Sequence, residues 1–117
     1  MNIESLRFYC LSKPGVTEST PFGDDTLVFK VGEKIFLLAG LNNPQSFNVK
    51  CDPEKAVSLR EQYPEIIPGY HMNKKHWNTV YYNQSLSESL LLELINHSYD
   101  LIFASLSKNL QNTIKSL

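Results

Sequence analysis

"TLVFKVGEKIFLLAG", residues 26–40, is the stretch from which the architecture can be built outward. Two runs rich in β-branched and aromatic residues, 26–31 and 34–39, flank Gly32-Glu33. That pattern is a β-hairpin, and glycine at the first loop position suits a type II′ turn. A two-residue connection forces antiparallel pairing. Every position from Ile35 to Leu38 is apolar, which predicts that both faces of the second strand are covered. Just downstream, "SFNVK" (46–50) alternates, with Phe47 and Val49 on one face and Ser46, Asn48 and Lys50 on the other.

Helices bracket these strands. Residues 2–12 place Ile3, Leu6, Tyr9 and Cys10 on one stripe, with Asn2 as N-cap and Pro14-Gly15 as the stop. A second helix opens at Asp52-Pro53, a cap followed by a proline whose missing N–H costs nothing there, and runs through Arg60 towards Pro64. "HWNTVYY" (76–82) reads as a strand. "SLSE" (85–88) reads as a capping box from Ser85 to Glu88. It opens the longest helix, whose buried stripe is Leu91, Leu94, Ile95, Ser98, Leu101 and Ile102. Ser107 caps a last short turn carrying Leu110, Ile114 and Leu117.

The order is helix, three strands, helix, one or two strands, helix. Strands and helices come in blocks, which predicts an α+β fold of two layers, an antiparallel sheet with helices on one face. The other face is left open to solvent or a partner, and function is expected there. No repeat or linker divides the 117 residues, so residues 1–117 are read as one domain.

Composition narrows the function classes. Hydrophobic content of 42% and charged content of 20% exclude intrinsic disorder. The net charge of −1 carries no bulk electrostatic footprint for nucleic acid, so any such reading rests on local clustering. Cys10 and Cys51 are far apart and form no metal spacing, which suits two buried thiols in a reducing cytosol. The N-terminal residues carry Glu4 and Arg7 where a signal peptide needs an apolar run, and no segment reaches membrane-spanning length. A cytoplasmic protein without membrane contact is expected, with a monomer favoured.

"PGYHMNKKHWNTV" (68–80) is the densest run of chemistry-bearing side chains. Pro68-Gly69 reads as a turn, and Trp77 onward as a strand with its indole inward. His71 and His76 are five residues apart, off the spacing of two ligands on one helical face, and a third ligand is missing. No nucleophile elbow, zinc-protease motif, phosphate-cradling glycine loop or dinucleotide fingerprint is present. The expectation is a non-enzymatic protein with no cofactor, no catalytic residue and no metal ligand. Between Glu65 and Glu88 no acidic residue occurs, whereas Lys74, Lys75, His71 and His76 all lie in that window. Asn73 and Asn78 offer amides suited to phosphate oxygens or base edges. Lys30, Lys34 and Lys50 on the first three strands add to the same surface.

Together "PFG" (21–23), "GEKIFLLA" (32–39), "VKCDPE" (49–54), "LRE" (59–61), "PGYHMNKKHWNTV" (68–80) and "SYDL" (98–101) resemble the MmcQ/YjbR family of small bacterial proteins. The resemblance runs in order over most of the chain. It implies a two-layer α+β fold related to secretion-chaperone-like domains, with an extra short strand around residues 66–70. It further implies DNA binding through a double-wing arrangement, and marks Lys50, His71, Asn73, Lys74, Lys75 and His76 as candidate nucleic-acid contacts. Trp77 and Tyr99 match the pattern in core roles. The end of the last helix departs from it, with Lys108 alone where relatives are richer in lysine. DNA binding through the basic loop and hairpin wings is therefore the leading expectation. The alternative is a protein-interaction or chaperone-like module using the open sheet face or the C-terminal helix.

Overall fold

A computed structural model describes residues 1–42, 44–69, 72–82 and 85–117. Its elements are α1 (Ile3–Leu11), β1 (Val16–Ser19), β2 (Thr26–Val31), β3 (Lys34–Gly40), β4 (Ser46–Lys50), α2 (Pro53–Gln62), β5 (Ile66–Pro68), β6 (Trp77–Tyr81), α3 (Glu88–Ala104) and α4 (Lys108–Lys115). The strands form one sheet in the order β1-β2-β3-β4-β6-β5, with every neighbouring pair antiparallel. The fold is α+β. On one face α3 crosses β2, β3 and β4, α1 lies against β1 and α2 against β5.

Local chemistry starts each helix. The Asn2 side chain accepts the Ser5 N–H while Ser5 returns a bond to the Asn2 backbone. Asp52 accepts from Lys55 N ahead of Pro53. The longest helix begins two residues later than the capping-box reading predicts: Ser87, not Ser85, accepts from Leu90 N. Ser85 is drawn away because its hydroxyl donates to the Glu65 carboxylate next to β5. Ser107 caps α4, which is a full helix of 8 residues rather than a single turn.

Three features depart from the sequence reading. Gly32 and Glu33 have φ of 57° and 65°, so the β2–β3 turn is type I′ rather than II′, the form whose twist matches the paired strands. Strand β1, whose four residues VTES carry no clear β signal, pairs with the outer edge of β2 and receives Arg7 of α1 in an ion pair with Glu18. Pro68-Gly69 is no turn, since Pro68 closes β5 and the Gly69 N–H donates to the Trp77 carbonyl at 2.8 Å. A Cβ on Gly69 would sit 2.8 Å from that of Trp77, so the backbones meet there only without a side chain.

The apolar run in β3 covers both faces through a β-bulge. Phe29 pairs with Leu37 and Lys30 with Ile35, leaving Phe36 unmatched. Its carbonyl is satisfied by the buried Ser98 hydroxyl, which donates to it at 2.6 Å and accepts the Lys50 N–H at 2.9 Å. Phe29, Phe36 and Phe47 are fully buried in the main core between sheet and helices. Each contributes about 1.5–3 kcal/mol of burial. Val28, Leu38 and Trp77, flanked by Ile35 and Met72, make a smaller cluster separate from that core.

The C-terminal segment is part of the fold rather than a free amphipathic end. Leu106 and Leu110 cover Gly32, and the buried Ile114 packs on Gly15; of Leu110, Ile114 and Leu117, only Leu117 is exposed. Among the described residues no helix is long and apolar enough to cross a membrane.

Candidate nucleic-acid interface on the open sheet face

Strand alternation and pairing place the side chains of the helix-free face in transverse rows. Phe29, Val31 and Val49 belong to the main core, so Lys30 and Lys50 point to the opposite side. At the first level Lys30 on β2 pairs with Ile35 on β3, and Lys50 on β4 pairs with Trp77 on β6. The second row is Val28, Leu38, Asn48 and Thr79, continued by Ile67 of β5. The third is Thr26, Gly40, Ser46 and Tyr81. One end of the face is thus cationic, the middle apolar on one side and amide-hydroxyl on the other, and the far end polar.

At the far end lies a cavity of about 290 Å³. It is lined by Leu38, Asn48 and Thr79 of the second row, by Ser46 and Tyr81 of the third, and by Met72. Thr79, 3% exposed, donates its hydroxyl to Asn48 Oδ1 at 2.5 Å. Gly40 creates the space, since the third row has no side chain at that position. These residues escaped the sequence reading, although the polar alternation of "SFNVK" had placed Ser46 and Asn48 together on one face.

The loop before β6 lies at the cationic end. Asn73 Oδ1 accepts the Lys75 N–H at 2.9 Å, and the Asn73 carbonyl accepts from His76 N and Trp77 N. The Asn73 amide oxygen therefore shapes the turn. Lys74 and Lys75 are exposed and His76 is half-buried, its carbonyl accepting the Cys51 N–H at 2.8 Å. Lys50 pairs directly with Trp77, beside His76. The structure thus gathers Lys50, Asn73, Lys74, Lys75 and His76 at one end of the sheet, whereas His71 lies outside the described residues. Lys75 leans towards α2, where it shares a shallow depression with Glu54, Val57 and Arg60.

Two expected members of this surface, Lys34 and Asn78, go elsewhere, and Trp77, expected in a core role, packs on the open face itself. Lys34 turns to the helix layer, its ammonium 3.4 Å and 3.3 Å from the Ser105 carbonyl and hydroxyl oxygens. Asn78, 1% exposed, faces α2, where its Oδ1 accepts from Arg60 Nε at 2.6 Å and its Nδ2 donates to the Ala56 carbonyl. Trp77 is buried, but on the helix-free side among Val28 and Leu38. Arg60 is the residue that the sequence reading passed over. It bonds both Asn78 and the Lys74 carbonyl, joining α2, β6 and the lysine loop.

The thiols are not poised for nucleophilic chemistry. Burial pushes Cys10 up to about 12 and raises Cys51 as well. Among the described residues no three His, Cys, Asp or Glu side chains converge as a metal ion would require.

The family model described as YjbR matches residues 11–101. The chain belongs to the YjbR family. It is 42% identical over 113 residues to the uncharacterized Escherichia coli protein YbdF, covering 96% of this chain and 93% of that one. To Escherichia coli YjbR, also uncharacterized, it is 35% identical over 100 residues, 85% of each chain. Its fold is similar to the crystal structure of a Deinococcus radiodurans protein with a DUF419 domain, with TM-score 0.91, 36% identity and coverage of 97% and 88%. A Pseudomonas syringae protein follows at TM-score 0.77 and 30% identity, with coverage of 87% and 99%. YjbR membership carries the fold and leaves the activity open. Several residues in the strings that resemble the family are structural here: Ser98 serves the bulge, the Tyr99 hydroxyl donates to the Pro14 carbonyl at 2.6 Å, and Arg60 ties the loop.

Proposed function

We propose that this YjbR-family chain binds DNA through the cationic end of its open sheet face. The observation that supports this reading is that Lys30 and Lys50 lie on one face at the same end of the sheet, with Lys74 and Lys75 at that end too. Two strands apart, Lys30 and Lys50 stand roughly 10 Å from each other on a rigid sheet, a separation that two long, flexible lysine side chains can close to reach phosphates of one backbone. His76 and the candidate His71 belong to the same stretch of chain. The β2–β3 hairpin contributes Lys30 rather than its tip, because Gly32 is packed under Leu106 and Leu110 and Glu33 is acidic. Glu54 beside Lys75 keeps the positive field local, so the binding is modest and strongly salt-dependent.

Four phosphate contacts predict a log–log salt slope of about −3 to −4. Substituting Lys74→Ala and Lys75→Ala lowers its magnitude by about 1 to 2 units. Fluorescence anisotropy across a salt series measures both. Equal affinity of wild type and the doubly substituted protein at every salt concentration removes the loop from the interface.

A further inference from the structure

We infer that the cavity beyond the lysines receives one unpaired nucleobase, which makes this face a single-strand surface rather than a duplex one. The inference rests on the DNA reading above and specifies what its substrate must be.

The cavity and the cations are parts of one face. Asn48 and Lys50 lie on the same side of β4 two residues apart, about 7 Å along the strand. That is comparable to the separation of a backbone phosphate from a neighbouring base. A phosphate held at Lys50 thus leaves a base within reach of Asn48. Asp25 is part of the lining, and its negative charge disfavours a phosphate there while the uncharged part of a nucleotide is admitted. At about 290 Å³ the space is at the small end of ligand sites, sized for a base rather than a larger molecule.

Its chemistry matches a base edge and two ring faces. Thr79 donates to Asn48 Oδ1, which fixes the amide orientation and leaves the Asn48 N–H₂ as a donor to the ligand. Asp25, Asn42 and the Ser46 and Thr26 hydroxyls supply acceptors and further donors around it. Leu38 and Met72 offer an apolar flank, and half-buried Tyr81 a ring for stacking. A base in a duplex cannot present its pairing edge to such a recess. An unpaired base can.

The test compares fluorescein-labelled oligothymidylate of 12 nucleotides with an abasic oligomer of the same length and with a duplex, by anisotropy at one low salt concentration. Wild type is expected to bind oligothymidylate about fivefold or more tighter than the abasic chain, and tighter than duplex per strand. Asn48→Leu should erase the preference for bases while leaving abasic affinity unchanged. Gly40→Leu fills the cavity without removing a hydrogen bond, and its Cβ meets only ordinary contacts at 3.6 Å and 3.7 Å, so it guards against a misfolded first variant. Circular dichroism verifies both folds. Equal wild-type affinity for thymidylate and abasic oligomers, or a preference that survives both substitutions, overturns the base site and leaves phosphate binding standing. Absence of binding to every oligomer overturns both readings. Free thymidine that displaces the oligomer at micromolar concentration makes the cavity a nucleoside site and overturns its assignment to a strand.

Discussion

Replacing Arg60 with Met keeps the aliphatic stem against α2 but removes the guanidinium that joins helix, strand and loop. Two hydrogen bonds vanish, one to Asn78 Oδ1 at 2.6 Å and one to the Lys74 carbonyl. Asn78 is 1% exposed, so water cannot replace the lost donor, and its remaining contact is the 3.4 Å bond from Nδ2 to the Ala56 carbonyl. A charge-assisted bond contributes about 1.5–3 kcal/mol, and a stranded buried acceptor costs about 1–3 kcal/mol. Arg60 is itself half-exposed and the loop carbonyl stays near solvent, which keeps the total near the lower ends. The expected loss is about 2–4 kcal/mol, or a fall in Tm of roughly 10 °C for a chain of this size. Urea unfolding with an unchanged m-value measures it. A cycle with Asn78→Leu separates the pair: removing both partners should cost about 1 kcal/mol less than the sum of the single changes. A loss below about 0.5 kcal/mol for Arg60→Met, or strict additivity in the cycle, refutes the claim that this contact holds the loop.

Gly32→Ala should destabilise by about 2–4 kcal/mol, combining a left-handed backbone with a Cβ thrust into Leu106. The geometry behind it is φ of 57° and a contact of 2.6 Å to a Leu106 methyl, and thermal denaturation that leaves Tm within 2 °C of wild type refutes it. The pH dependence of stability should carry a His97 component. His97 Nε2 accepts the Asp52 N–H at 3.1 Å, and burial, aided by Lys55, holds its pKa below the ordinary 6.5 against the opposing pull of Asp52, Asp100 and Glu93. Because the folded state resists protonation, this contribution is complete above pH 6.5 and declines as pH falls from there to the lowered value. His97→Gln, which cannot ionise, should narrow the gap between urea midpoints at about pH 5 and 7.5; an unchanged gap removes His97 from the account.

Much of the architecture was legible because it is written in short-range patterns. Caps such as Asn2 and Asp52 lie beside the N–H groups that they serve, and the alternation in "SFNVK" assigned Phe47 and Val49 to the core without knowledge of a partner strand. Of the candidate contacts, Lys50 and residues 73–76 are brought to one end of the sheet because the loop leads directly into β6, which pairs with β4. Other features depend on what packs from elsewhere. Ser85 and Ser87 are equally good caps by sequence, and Glu65, twenty residues upstream, decides between them by taking the Ser85 hydroxyl. Asn78 looked like an amide for a ligand until α2 set Arg60 against it.

The sequence by itself determined the helices, the antiparallel strands, the family and the clustering of lysines near the sixth strand. Only the tertiary structure decided that β1 joins the edge, that the bulge leaves Phe36 to Ser98, that the last helix closes over Gly32 and that a cavity opens where Gly40 lies between Thr26 and Ser46. Periodicity along a chain reports which face a side chain takes. The partner that side chain meets depends on strands and helices distant in sequence, and that pairing of distant segments is where the candidate site is made.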